Sequence, residues 1–443
     1  SIWYKFKTSS NTRMGIKKYF IFFIIFLVGK CSIAQQNGDT IFINNNFYVK
    51  HIVEFGETID IISKIYDVSV NKILETNETS TKLYSGQSLF IPININVESS
   101  DIKKTNKKFK IALLLPFYIN LNDTLVASFE DREEASEVVL GKSKMALEFM
   151  QGINLSLDTI KKLGIGIDMI VLDTRNDSSK IVEIIKSKVL DTVDIVIGPI
   201  YSRNMDLVCK KYGNDKNKII ISPLSKSTEF LKNHSNSFMI NTPFKNQTKI
   251  ISDFIDKKYI SKNIIICYDE KEKGLAMFME RKLDKSKNNI SKMNMIYTHI
   301  DSIRHQFLDT QIVILPSNNK SFVSRMLGTL GGIDSSFTVF GLSNIKNYDH
   351  LDIENLMHLD VHFPDPYYFN QLTKRDSLFL NKFEDKYLAS PTRFSYVAYS
   401  IMMHFCVEES LYNFENFRIK SGKVNINSPI VHYKDFFLER AKN

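Results

Sequence analysis

Cysteine and tryptophan are nearly missing from this sequence: four of the first and one of the second in 443 residues. Cys31 lies in an N-terminal segment that is expected to be removed, which leaves Cys209, Cys267 and Cys406, an odd and widely spaced set. Three such residues make no disulfide framework and are expected to be small buried apolar side chains. The one tryptophan, Trp3, falls in the same segment, so a sugar held by the rest of the chain would have to stack on tyrosine or phenylalanine. No apolar run reaches the roughly 20 residues of a membrane span. There is no Gly-x-Ser-x-Gly, no local Cys/His signature and no glycosidase motif, and among 49 acidic residues no carboxylate pair stands out for acid–base work. A non-enzymatic protein without cofactor or metal is the expectation.

Two partial motifs do not change this. Gly141-Lys142-Ser143 is half a phosphate-binding loop, but Ser136 stands where its first glycine belongs and an acidic stretch, not a strand, precedes it. His358 and His362 have the i, i+4 spacing of a helical metal site, with His350 and Asp360 nearby. Leu359 replaces the glutamate of a zinc protease, and Pro364 and Pro366 follow, so an extended or turning segment is expected there.

At the N-terminus, Met14 is a plausible start, preceded by an upstream extension over residues 1–13. Lys17 and Lys18, an apolar run over residues 19–28 and the small-x-small site Ser32-Ile33-Ala34 follow in the order of a secretory signal peptide. Lys30 sits where a lipid-anchor site wants a small residue, which argues against an anchor on Cys31. Residues 1–34 carry six basic and no acidic residues, so the net charge falls from +9 to +3, with 52 basic against 49 acidic residues. Nucleic-acid binding loses its compositional support. The mature protein is expected to be soluble, secreted into the periplasm and associated with the wall.

Beyond the leader, residues 48–92 read as strand, helix, helix, strand. Residues 48–53 have strand character, Gly56-Glu57-Thr58 turns the chain and Thr58 caps a helix bearing Ile59 and Ile62 on one face. Ser69 caps a second helix, and Gly86-Gln87 leads into a strand stopped by Pro92. The pieces Val53-x-x-Gly56-Glu57-Thr58, Asn77 and Gly86-Gln87-x-Leu89-x-Ile91-Pro92 closely resemble LysM, a peptidoglycan-binding module. The resemblance implies a shallow groove for N-acetylglucosamine polymers, formed by Gly56, Glu57, Thr58, Ile59, Asn77, Thr79 and Leu83. One copy, without the family's usual repeats, implies weak binding.

Residues 93–108 are polar and charged, as a linker should be. From residue 109 apolar strands alternate with amphipathic helices, beginning with the continuous run FKIALLLP, which suits a parallel strand covered on both faces. The alternation over residues 109–221, resumed over 264–341, implies βαβ crossovers and two open parallel sheets. A long helical stretch over residues 377–412 and a strand-like tail over 423–433 close the pattern. The strings ALLLPF, QGINLSLD, IVIGPIYS, IISPLS and VFGLSNI resemble the type I periplasmic solute-binding fold of branched-chain amino-acid receptors. That resemblance covers nearly all of residues 109–433. It implies one lobe from about 109–242 and 366–418 and a second from about 243–365 and 419–443.

Ligands of open α/β sheets lie beyond the carboxyl ends of the strands. This selects Tyr118, Asp173, Arg175, Tyr201, Ser222 and Ser225 in the first lobe and Tyr268, Ser317 and Asn318 in the second, and the resemblance to amino-acid receptors adds Ser202. The expected fold is α/β, a small βααβ LysM module before a two-lobed type I binding-protein domain. The expected function is peptidoglycan binding joined to recognition of a small solute, such as an amino acid or wall fragment. The alternative is an envelope interaction protein that regulates peptidoglycan synthesis through a protein partner, with a vestigial cleft.

Overall fold

The computed structural model describes residues 40–43, 46–53, 56–66, 68–77, 79–92, 107–127, 139–294, 307, 309–333, 337–370 and 373–442. The expected leader and most of the expected linker lie outside the described residues. Two compact units divide the chain, residues 1–101 and 102–443.

In the first unit, strands β1 (Thr40–Ile43), β2 (Asn46–Ile52) and β3 (Ser88–Pro92) form an antiparallel sheet in that order. Helices α1 (Ile59–Tyr66) and α2 (Val70–Asn77) lie between β2 and β3 in the chain. Helical spacing puts Ile59 and Ile62 on one face, and they pack with Val53, Val68, Ile73, Leu89 and Ile91 into a single core. The strand–helix–helix–strand order holds, and β1 is an added edge strand.

The second unit contains two seven-stranded sheets. The first runs β14 (Phe414–Asn416), β15 (Lys423–Asn425), β8 (Ser237–Met239), β7 (Ile219–Ser222), β6 (Ile195–Ile197), β4 (Lys108–Leu115), β5 (Gly166–Asp173). The second runs β10 (Asn289–Asn294), β9 (Asn263–Tyr268), β11 (Ile312–Leu315), β12 (Thr338–Gly341), β13 (His362–Pro364), β16 (Ile430–Lys434), β17 (Phe437–Arg440). Pairing is parallel from β15 through β5 and from β10 through β13, and antiparallel at β14 and at the β13–β16–β17 edge. Ile111, Leu113 and Leu115 of β4 face one apolar cluster while Ala112 and Leu114 face another, so this strand is covered on both sides as its unbroken apolar run requires.

Helices fill the connections. In the first lobe these are α3 (Ile119–Ala127), α4 (Gly141–Lys162), α5 (Ser178–Lys186) and α6 (Ser202–Tyr212); in the second, α7 (Phe244–Lys258), α8 (Lys273–Lys282), α9 (Lys320–Gly331) and α10 (Ile353–His358). Two more, α11 (Lys374–Tyr387) and α12 (Arg393–Val407), return to the first lobe, where Phe379, Phe383, Val397 and Ile401 join the core of Phe149 and Ile153. Gly152 is where α4 meets α12: a Cβ there would sit 1.9 Å from the Ser395 carbonyl oxygen. Among the described residues no helix is long and apolar enough to cross a membrane.

Three features differ from the sequence pattern. The stretch 377–412 is two helices, because Leu388 takes a left-handed φ of 51° and Pro391 follows. The apparent break at 241–247 is a crossing between lobes followed by the start of α7. The tail is not one strand: β15 pairs with β8 in the first sheet and β16 with β13 in the second, so the last crossing runs through residues 426–429 rather than near 418.

Candidate functional site

In the first unit, backbone bonds set the groove candidates. The Val53 N–H donates to the Gln87 carbonyl and the Gly86 N–H to the Val53 carbonyl, both at 2.8 Å, which brings the turn before α1 beside the turn before β3. Gly56 supplies a φ of 89° that an L side chain resists. Glu57 bonds His51 Nε2 at 2.8 Å, and His51 Nδ1 lies 3.0 Å from the Tyr66 hydroxyl. Thr58 Oγ1 accepts weakly from the Ile61 N–H at 3.4 Å, the cap expected of it. Thr79 Oγ1 accepts from Gln87 Nε2 at 3.3 Å.

Three expected groove residues have other work. Ile59 is 3% exposed and belongs to the core, and Leu83 packs against that core half-buried. The Asn77 amide donates to the Ile73 and Phe90 carbonyls at 2.8 Å and accepts from the Phe90 N–H at 2.6 Å, so it clamps α2 to β3. Tyr84, not among the expected residues, is an aromatic at 65% exposure in the turn before β3, where its N–H donates to Gln87 Oε1 at 3.1 Å.

In the second unit a cavity of about 510 Å³ opens between the lobes. The first lobe contributes Ile200, Tyr201, Ser202, Leu224, Ser225 and Lys226, with Arg393 and Phe394 from α12. The second contributes Phe244 and the segment after β12: Ser343, Asn344, Lys346 and Asn347. The crossing Asp365-Pro366-Tyr367 forms part of the wall between them. Gly198 shapes the approach: its φ is 89°, and a Cβ there would lie 2.3 Å from the Leu114 carbonyl oxygen.

Hydroxyls and charges are concentrated on this wall. Ser202 Oγ and Ser225 Oγ are 2.6 Å apart at the start of α6, whose N-cap residue, Tyr201, makes no capping bond with its side chain. Lys346 Nζ lies 2.5 Å from Asp365 Oδ2, while Asp365 Oδ1 accepts from the Tyr367 N–H at 3.0 Å. Arg393 Nη1 donates to Asn347 Oδ1 at 2.6 Å, a bond from one lobe to the other. The Tyr367 hydroxyl donates to the Pro223 carbonyl at 3.2 Å, and burial pushes its pKa well above the ordinary tyrosine value.

Of ten residues expected in the cleft, the cavity brings together Tyr201, Ser202 and Ser225. The other seven lie elsewhere, for reasons local to each. The Asp173 carboxylate accepts from the backbone N–H groups of Phe117, Tyr118, Ile119 and Arg175 at 2.9–3.1 Å, so it organises the loop after β4. With Arg175 it lines a separate groove along the edge strand β5. Tyr118, held by that loop at a φ of 52°, is not in the cavity wall, and its hydroxyl pKa is raised, first by burial and then by Tyr201. Ser222 is fully buried at the end of β7. Tyr268 packs on the second lobe's core. Ser317 Oγ caps the Asn319 N–H at 3.1 Å, and the Asn318 carbonyl accepts from Tyr348 at 3.0 Å. The second lobe thus faces the cavity with the exit of β12, not those of β9 and β11. Glycine and serine clusters flag strand exits in a sequence, but which exits converge depends on sheet order.

Cys209, Cys267 and Cys406 are free and buried. Burial raises all three thiols, Cys267 and Cys406 to about 12, so none is poised as a nucleophile. Asp360, His362 and His432 form a cluster whose ligating atoms lie within 4.8 Å of one another. His358 is apart from it: α10 ends there and His362 opens β13. His362 and His432 are cross-strand neighbours with rings stacked at 4.6 Å, and His432 Nδ1 is 3.0 Å from Asp360 Oδ1. His362 Nδ1 is 2.7 Å from the Asp360 carbonyl. The three could offer two nitrogens and an oxygen to a metal, and His362 Nε2 is buried without a hydrogen-bond partner.

The chain thus joins a small module with two helices between its strands to a two-lobed domain with a cavity between the lobes. The family model for the LysM domain matches residues 51–92. The chain is similar in structure to a protein from Rhodospirillum rubrum described as a branched-chain amino acid ABC transporter, with TM-score 0.55, 15% identity, and 75% of this chain and 100% of that one covered. It is also similar to an ABC transporter substrate-binding protein from Desulfitobacterium hafniense, with TM-score 0.51, 13% identity, and 76% and 100% covered. A structure from the same organism, in complex with Leu, aligns with TM-score 0.50 and 14% identity over 76% of this chain and 100% of that one. A search of curated proteins finds no match. Residues 51–92 are a LysM domain, and the larger unit has the type I periplasmic binding-protein fold.

Proposed function

We propose that this protein is a non-enzymatic, wall-associated binding protein working outside the cytoplasm, in the periplasm, after removal of residues 1–34. Its LysM domain holds peptidoglycan or a related N-acetylglucosamine polymer across Gly56, Glu57, Thr58 and Thr79, with Tyr84 as a stacking surface. Residues 93–108 are the linker to the two-lobed domain, which takes a small solute between its lobes and closes on it by hinge motion at the three crossings.

The observation that carries the solute reading is the open cavity, about 510 Å³ and walled by both lobes and by the crossing at Asp365. That is within the roughly 300–1,000 Å³ of ligand pockets, and it argues against a vestigial cleft. Tyr201, Ser202 and Ser225 are the ligand-binding residues of the first lobe.

The wall contact is tested by sedimentation with purified peptidoglycan: deletion of residues 48–92 abolishes co-sedimentation, and unchanged binding would refute the assignment. The solute reading is tested by thermal shift of the full chain against small metabolites and muropeptides. A ligand at 100 times its Kd adds about 2.7 kcal/mol of stability, and a flat response to every compound counts against the cleft.

A further inference from the structure

The charges around the cavity are ill-suited to a zwitterion. Its charged side chains are Lys226, Lys346, Arg393 and Asp365. The single carboxylate is already engaged on both oxygens, with Lys346 and with the Tyr367 N–H, and is 3% exposed. Lys226 and Arg393 have no carboxylate partner among the described residues, and the one polar side-chain bond of Arg393 is to the Asn347 carbonyl oxygen. Glu148 accepts from Thr392, the residue before Arg393, at 3.2 Å and does not line the cavity. A ligand ammonium would therefore meet unneutralised cations and no free counter-charge.

The same wall suits an anion. The start of α6 offers main-chain N–H groups beside Ser202 and Ser225, at the positive end of an 11-residue helix. Arg393 supplies a planar fork that matches a carboxylate. A second feature specifies what else the ligand carries. Asn344 is 8% exposed and lines the cavity; its amide nitrogen donates to the Tyr348 hydroxyl, and its Oδ1 is buried with no partner. That oxygen needs a donor. A neutral hydroxyl supplies one without bringing a positive charge. Leu224, Ile200, Phe244 and Phe394 make the remaining wall apolar.

We propose that the cleft ligand is a small hydroxy acid without an ammonium group: its carboxylate at Ser202, Ser225, Lys226 and Arg393, its hydroxyl on Asn344, and a short apolar body between. This rests on the cleft being a solute site.

The test is calorimetric titration of the full chain with matched pairs that differ in one substituent: 2-hydroxyisocaproate against leucine, and 2-hydroxyglutarate against glutamate. At least one hydroxy acid should bind about tenfold or more tighter than its amino acid, and Arg393→Gln and Asn344→Leu should each weaken it by a similar factor. An amino acid that binds as tightly as its hydroxy partner overturns the ligand class and leaves the cleft reading standing. Binding of neither pair, with no heat for any of the four compounds, overturns the proposal; a separate response to muropeptides would then keep the cleft as a site for another class.

Discussion

In the LysM domain the candidate groove lies where two turns are joined by backbone bonds, Val53 to Gln87 and Gly86 to Val53, within 35 residues of sequence. In the two-lobed domain the candidate site is assembled from side chains as far apart as Ser202 and Arg393, delivered by helix starts and a crossing strand. A groove of local backbone tolerates side-chain change as long as the turns hold. A cleft of distant side chains depends on two cores and three crossings being in place. The two regions should therefore fail differently when altered.

The largest expected effect is on the cleft's scaffold. Phe149 is fully buried where α4 packs on the first sheet, and Phe149→Ala should cost about 3–5 kcal/mol. Urea unfolding should show the loss in the transition of the large unit, while peptidoglycan co-sedimentation survives. Loss of both together would break the comparison.

Acid should also act on the large unit. Burial, opposed by Asp360 and assisted by His432 and Lys258, lowers the His362 pKa to about 4. An unfolded histidine binds its proton near 6.5, so between these values the unfolded state holds more protons. The stability His362 contributes is complete above pH about 6.5 and is lost as pH falls toward 4, by about 3 kcal/mol in all. His404, lowered by burial, acts in the same direction. Urea midpoints from pH 7.5 to 4.5 should fall, and His362→Phe, which suits the neighbouring Phe254 and Phe340 rings, should flatten the slope. An equal slope in the variant would remove His362 from the account.

Within the LysM domain, Asn77→Ala should cost about 1–3 kcal/mol, because it strands the Phe90 N–H and two carbonyls. A lowered melting midpoint of the module distinguishes this clamp from a direct sugar contact. Tyr84→Ala should do the reverse. It should leave the midpoint unchanged and weaken peptidoglycan binding by about fivefold, the loss of one stacking surface of about 1 kcal/mol.

The same contrast explains what was legible in the sequence. The LysM elements could be read from Gly56, Thr58, Asn77 and Gly86 because each acts on neighbours close in the chain. Asn77 shows the limit: its presence was expected, but its bonds to Phe90 across 13 residues give it a clamping role. In the large unit the alternation of strands and helices revealed two parallel sheets, and apolar runs such as that of β4 fixed the strands closely. Sheet order was not visible, and it decides the cleft. The exit of β12, with Asn344 and Lys346, faces the cavity, and α12 brings Arg393 there through a fold contact that spans more than 200 residues from α4. Asp173 stood at a strand end as the ligand rule requires, yet its carboxylate is consumed by four backbone N–H groups.

The most direct test of two separate binding sites in one chain is co-sedimentation of the full protein with purified peptidoglycan for two double variants. The account predicts that Thr58→Val with Tyr84→Ala releases the chain into the supernatant, whereas Ser225→Val with Arg393→Gln leaves it in the pellet like the unaltered protein. Release of the cleft variant, or retention of the LysM variant, would contradict it.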